Sequence, residues 1–282
     1  MALTTLNEVL KIAEQTQTAI PGFNIDNIEI PEAIMAAAEQ YSCPVILTIG
    51  QGAIKAGQML YLTDVVRRLA EQTSVPVVLH LDHGTGYDQV IQCIRAGFTS
   101  VMFDGSNLPF DQNVEITKQV VKAAKAVGIS VEAELGAIGG VEDGIFRGGN
   151  NLVDVQEVER FIHEVEVDAL AIGIGNAHGI YKGTPNLDFD RLEACQRLSP
   201  PPLVLHGGSG IPDDMIRKAI RLGIRKINVA TEIRDAFMAG LESSVGDRNI
   251  YTMYRCAAAR VERLAAEKIR LFQRVEDQGQ IA

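Results

Sequence analysis

The sequence predicts a single (β/α)8 barrel, the TIM-barrel fold, built by residues 1–282 as one domain with an extra C-terminal helix. Three observations predict it. Short apolar runs alternate with amphipathic stretches about eight times over 282 residues; strict strand-then-helix order implies a parallel sheet, and eight units can close it. Side chains capable of chemistry gather just after the apolar runs, at the end of the barrel where active sites lie. No linker, low-complexity segment or short-period repeat divides the chain. An open doubly wound sheet is the alternative with the same alternation.

The elements follow in order. Residues 4–15 place Leu6, Val9, Leu10 and Ala13 at helical spacing after a threonine cap. A first strand ends at Asn24. A helix over 31–41 leads to the strand Val45–Ile49, with Gly50-Gln51-Gly52 as its exit loop. The helix Leu60–Glu71 precedes a strand over 75–83. Then come a helix at Val90–Ala96, a strand at Ser100–Phe103 and a long helix Gln112–Val127 stopped by Gly128. Ser130–Glu134 is a strand with Glu132 and Glu134 on one side. Residues 136–151 are glycine-rich and acidic and read as a long mobile loop. A helix over Val155–Val165 and a strand to Gly175 follow. Asp190–Leu198 is a helix, Pro200-Pro201-Pro202 stops it, and a strand leads to His206. A helix at Pro212–Leu222, a last strand Lys226–Val229 and helices over 232–243 and 251–274 complete the chain.

Composition excludes several classes. The formal net charge is −10 with no basic patch, which disfavours nucleic acid. No apolar stretch has membrane-spanning length, and no basic region followed by an apolar run opens the chain. Four cysteines without C-x-x-C spacing read as buried thiols of a cytoplasmic protein.

One stretch organises the chemistry. Residues 75–88 run from Val75-Pro-Val-Val-Leu79 into His80-Leu-Asp82-His83-Gly84. Charged and metal-capable groups at the exit of an apolar strand are costly unless paired or bound. The design recurs at 168–179, ending Gly175-Asn-Ala-His178-Gly179, and at 203–210, Leu203-Val-Leu-His206-Gly-Gly-Ser-Gly210. Three convergent imidazoles at His83, His178 and His206, with a fourth position open, suit a catalytic zinc ion. Gly207, Gly208 and Ser209, together with Asn228, Val229, Ala230 and Thr231, offer amides and hydroxyls to a phosphate after the seventh and eighth strands, with Gly179 and Lys182 adding an amide and a charge. Gly173-x-Gly175 lacks the third glycine and following helix of a dinucleotide fingerprint.

These motifs, with Val131-Glu-Ala-Glu-Leu-Gly136 and Lys226-Ile-Asn-Val-Ala-Thr231-Glu, resemble the class II, zinc-dependent ketose-bisphosphate aldolases from about Phe23 to the helix after Glu232. The Asn228–Thr231 form is similar to tagatose-bisphosphate aldolases more than fructose-bisphosphate ones. The resemblance implies reversible cleavage of a ketohexose 1,6-bisphosphate to dihydroxyacetone phosphate and glyceraldehyde 3-phosphate. D-tagatose 1,6-bisphosphate is the favoured sugar, with D-fructose 1,6-bisphosphate or another phosphorylated ketose as alternatives. His83, His178 and His206 would hold Zn2+, with Asp104 and Glu134 near an alternative metal position. Asp82 would protonate the aldehyde oxygen. Glu142 would be the loop base, although the family often has two adjacent acids where this chain has Val141-Glu142, and Asp143 is next door. The family adds a monovalent cation, Na+ or K+, near the phosphate. It also implies a homodimer or homotetramer, and in tagatose-type members an associated second, barrel-like subunit, a role this chain could itself fill without catalysis. Gln51 and the segment after Gly50 are candidates for sugar selectivity. His80 reads as a buried, hydrogen-bonded histidine. A Schiff-base aldolase needs a lysine at a strand end, and Lys226 starts its strand.

Overall fold

The computed structural model describes residues 3–142, 145–147, 152–181 and 183–273, those at 141–142 and 145–147 by backbone alone. Eight parallel strands close a barrel in consecutive order. They are β1 Ile20–Asn24, β2 Val45–Ile49, β3 Val77–Gly84, β4 Ser100–Phe103, β5 Ser130–Leu135, β6 Ala169–Ile172, β7 Leu203–Leu205 and β8 Ile224–Val229. The closing pair is β1 with β8, registered Ile20 to Lys226 and Gly22 to Asn228.

Strand periodicity sorts each side chain outward or inward. Outward residues such as Val77, Leu79 and Leu81 of β3 join the large apolar layer beneath the helices. Inward residues form a second, small cluster. Leu6, Val9, Leu10 and Ala13 of the N-terminal helix Leu6–Thr16 plug the barrel floor against Ile20, Ile46, Val78, Ala169 and Val204. Thr5 and Glu8 form a capping box at the start of that helix. Its Asn7 N–H donates to Ser130 Oγ across 3.0 Å, which ties the plug to β5.

Above this floor the interior turns polar. His80 and Asp82 of β3, Glu132 and Glu134 of β5, and Lys226 and Asn228 of β8 are all buried. The barrel is apolar below and charged above, so the chemistry sits at the strand C-terminal ends.

Two local readings change. Gly50 caps a one-turn helix, Gln51–Lys55, so this exit is helical rather than a plain loop. Within 136–151, Gly139–Glu142 and Ile145–Arg147 pair antiparallel, and Gly139 and Gly140 pair in parallel with Ala177 and His178. A glycine-rich, acidic composition hides such a hairpin because it depends on tertiary pairing. Cys43, Cys93 and Cys195 are buried, which pushes the first two thiols up to about 12 and the third to about 11.

The C-terminal helix Ile250–Phe272 lies on its own barrel, burying Val261, Ala265, Ile269 and Phe272. It meets the helix Thr231–Glu242 at Gly240, where an added Cβ would come 2.3 Å from Ala257 Cα. Gly240→Val should therefore destabilise the fold by ~1–3 kcal/mol through overpacking, read as a lower urea midpoint. An unchanged midpoint would show that the two helices can part without loss.

Candidate active site

Three strand exits bring the histidines together. His83 closes β3, His206 follows β7, and His178 lies in a two-residue strand beyond β6. Ring centroids of His83 lie 4.8 Å from His178 and 4.6 Å from His206. One nitrogen from each of the three falls within 4.8 Å of the others. All three rings are buried.

Hydrogen bonds fix which nitrogen faces inward. His83 Nδ1 meets Asp104 Oδ2 at 2.9 Å, and Asp104 accepts from Ser106 N–H and hydroxyl at 3.1 and 2.7 Å. His206 Nε2 donates to Glu132 Oε1 at 2.8 Å. A carboxylate behind an imidazole sets its tautomer and raises its basicity toward a metal. Burial and the neighbouring His83 push the His206 pKa down, so the ring is neutral, as a ligand must be. Three convergent imidazoles, those of His83 and His206 backed by carboxylates, suit a zinc ion. His83, Asp104 and Glu134 form a second group within the same limit, sharing His83.

His83 adopts φ +48, a left-handed conformation costing a non-glycine residue roughly 1–2 kcal/mol. Gln51 holds it there. Its amide nitrogen donates to His83 O at 3.0 Å, with Asp82 O at 3.4 Å. Gln51 and Gln89 exchange side-chain bonds of 3.1 and 3.0 Å. Gln51 thus binds the backbone beside His83.

Asp82 is oriented by two amides. Asn228 Nδ2 donates to its Oδ1 at 3.0 Å and Asn24 Nδ2 to its Oδ2 at 3.2 Å. Thr48 donates to Asn24 Oδ1 at 2.8 Å, which fixes that amide's direction. Sequence reading missed Asn24, Thr48 and two loop anchors. Asn176 Nδ2 donates to His206 O at 3.0 Å. The Tyr181 hydroxyl accepts from Ala177 N–H at 2.8 Å and donates to Gly207 O at 3.0 Å, binding the His178 loop to the His206 loop. A Cβ at Gly207, φ +64, would lie 2.2 Å from Ala177 O, so only glycine permits that approach.

Gly207, Gly208 and Ser209 pack on the end of β8, where Gly208 N–H donates to Asn228 O at 2.9 Å. Ser209 Oγ accepts from Glu232 N–H at 3.3 Å, at the start of the helix opened by Thr231 after Val229 and Ala230. This N-terminus faces the same rim as Gly179 (φ +87), an arrangement suited to an anion. The Glu142 backbone lies in the hairpin strand paired beside His178. The Glu142 side chain, Asp143 and Lys182 lie outside the described residues.

His80 and Lys226 are resolved by one network. Lys226 Nζ donates to Glu132 Oε2 at 2.7 Å and to His80 Nε2 at 3.3 Å. An ammonium has no acceptor, so His80 carries its proton on Nδ1 and donates to Ser100 Oγ at 2.7 Å. Burial and Lys226 push the His80 pKa down to about 3. Burial alone would raise the Glu132 carboxyl, but Lys226 and His206 hold it well below the usual range. The lysine is buried and occupied, which disfavours imine chemistry.

The comparisons agree with this geometry. The family model described as fructose-bisphosphate aldolase class-II matches residues 4–277, and the chain belongs to that family of carbon–carbon lyases, a class that is generally zinc-dependent. It is 44% identical over 255 residues to a fructose-bisphosphate aldolase of Geobacillus stearothermophilus, covering 89% of each chain. It is 46% identical over 235 residues to a 6-phospho-5-dehydro-2-deoxy-D-gluconate aldolase of Bacillus subtilis (strain 168), covering 82% of this chain and 81% of that one. The crystal structure of the YdjI aldolase from Escherichia coli K12 superposes with a TM-score of 0.86 at 31% identity, over 96% of this chain and 97% of that one. The tagatose preference finds no support in these relatives. No helix among the described residues is long and apolar enough to cross a membrane.

Protonation linkage gives a test. His80 binds fewer protons folded than unfolded between pH 6.5 and about 3. Stability therefore falls as pH drops through that window, by up to ~1.4 kcal/mol per pH unit for one group. His206 shifts the same way, and the depressed Glu132 carboxyl adds a loss below about 4.3. The Tm of metal-stripped protein should decline below pH 6.5, less steeply in His80→Gln. Equal slopes would show that His80 takes up a proton within the fold.

Proposed function

We propose that the protein is a zinc aldolase that reversibly cleaves a phosphorylated ketose to dihydroxyacetone phosphate and an aldehyde. The carrying observation is the His83, His178 and His206 triad, converging with Asp82 at one barrel mouth. Fructose 1,6-bisphosphate, giving glyceraldehyde 3-phosphate, is the first substrate to test. The 46% identity to the deoxygluconate-phosphate enzyme favours that phosphorylated keto acid as a second reading. Tagatose 1,6-bisphosphate remains a third, drawn from the Asn228–Thr231 segment.

A bound zinc ion supplies Lewis acidity that polarises the ketone carbonyl. His83, His178 and His206 hold it, with Asp104 and Glu134 beside His83 as an alternative set. In the cleavage direction Asp82, aimed by Asn24 and Asn228, accepts the proton of the hydroxyl that becomes the aldehyde. Glu142 returns a proton to the carbon left behind. In condensation each group reverses its role. The ketose phosphate is held by Gly179, Gly207, Ser209 and the Asn228–Thr231 segment, with Lys182 adding charge, while the Gly208 N–H is given to Asn228 O. A monovalent cation near this phosphate is part of the proposal.

Chelator should abolish cleavage and zinc should restore it. His206→Ala should lose zinc and activity together, whereas full activity with normal zinc content would remove it from the ligand set. Glu142→Ala should keep zinc but slow proton exchange of dihydroxyacetone phosphate by ~10²-fold or more, and unchanged exchange would move the base elsewhere. Borohydride with substrate should trap no adduct; a trapped adduct at Lys226 would overturn the metal mechanism. Comparing kcat/KM for the three sugars names the substrate, and cleavage of none of them would overturn the reading.

A further inference from the structure

We propose that Lys226 and His80 are positioning residues for the metal centre, acting through Glu132 on His206; this rests on the zinc-aldolase reading above. The four side chains form one continuous chain. Ser100 Oγ holds His80 Nδ1 at 2.7 Å, and His80 Nε2 accepts from Lys226 at 3.3 Å. Lys226 donates to one oxygen of Glu132 at 2.7 Å, and His206 donates to the other at 2.8 Å. His80, Glu132, Lys226 and His206 each have zero relative exposure.

Each link constrains the next. With Oε2 of Glu132 tied to Lys226, Oε1 is the oxygen presented to His206. That bond occupies His206 Nε2 and leaves Nδ1 on the side of Asn228 Nδ2, 3.3 Å away, and Asp82 Oδ1, 3.8 Å away. The carboxylate behind His83 is held differently, by the neutral amide and hydroxyl of Ser106. Glu132 is thus locked and offset by a buried ammonium. Gly22 faces the same interior level, and a Cβ there would lie 2.6 Å from Asn228 Oδ1, so the absence of a side chain leaves room for that amide. The His80-x-Asp-His83 stretch then has two jobs, one imidazole at the metal and one holding the cation beneath it.

The test compares Lys226→Met, His80→Phe and His80→Gln with the full-length enzyme. Zinc affinity is read by chelator competition, and the site geometry by the visible spectrum of the cobalt-substituted protein. The expected result for Lys226→Met and His80→Phe is a 10–100-fold loss of zinc affinity, an altered cobalt spectrum, and a kcat that falls more than KM changes. His80→Gln, which keeps an acceptor for Lys226 and a donor for Ser100, should stay close to wild type. Where Lys226→Met does not fold, the His80 pair decides. Wild-type zinc affinity and cobalt spectrum in folded Lys226→Met or His80→Phe would overturn the proposal. The metal readouts need no substrate. Absent cleavage of every ketose phosphate by wild-type enzyme would overturn the function reading and leave this measurement standing.

Discussion

The structure depends on a carboxylate at the centre of a closed barrel. Glu132 has no exposed surface, and a lone ion there would face a desolvation cost of several kcal/mol. Lys226 and His206 answer it from two sides. A buried pair of this kind contributes little net stability compared with apolar packing, but losing one partner costs ~3–5 kcal/mol. Its service is therefore geometric. It admits few side-chain arrangements, and every residue around it conforms. His80 stays neutral, and His206 gives its Nε2 to the carboxylate.

The metal-site histidines are secured by different means because they stand on different backbone. His206 follows a barrel strand and is steered by its side chain's partner. His83 sits at a strained turn, φ +48, and its backbone is clamped by Gln51, which Gln89 holds in turn. His178 lies beyond its strand on a loop, so its position depends on Tyr181, which ties that loop to Gly207, and on the hairpin paired with it. The hairpin strand that ends at Glu142 is thereby registered to the backbone of His178. The barrel supplies rigid ends and the loops are held to them by named bonds, as precise placement requires.

Much of this was legible in the sequence because it is local. Strands such as Val45–Ile49 and Ser100–Phe103 coincide with their apolar runs, and His-Gly at three exits marks the rings that meet. What is not local could not be read. Lys226 near the start of β8 looks inert until the barrel closes and brings it across to Glu132 from a strand 94 positions earlier. Gln51 looks like a rim residue until its amide is seen on the His83 backbone. The hairpin within 136–151 has no apolar alternation to announce it. The sugar is written least of all, since one hydroxyl's configuration leaves no pattern in a single chain.

The same division explains why relatives of similar identity carry different substrate names. The chemistry lies in the barrel interior, where His83, Asp82, Glu132, His206 and Asn228 are buried and bonded to one another. A change there disturbs several partners at once and is expensive. In the proposed reading the far end of a substrate meets the rim instead, where side chains such as Asp26 and Arg234 are partly solvated. Asp26 and Arg234, paired at 2.6 Å beyond β1 and β8, belong to that layer and keep 31% and 28% side-chain exposure. Substitution at such positions costs little folding energy. On the proposed function, specificity can therefore move among substrates while the buried histidines, Asp82 and the lysine beneath them stay in place.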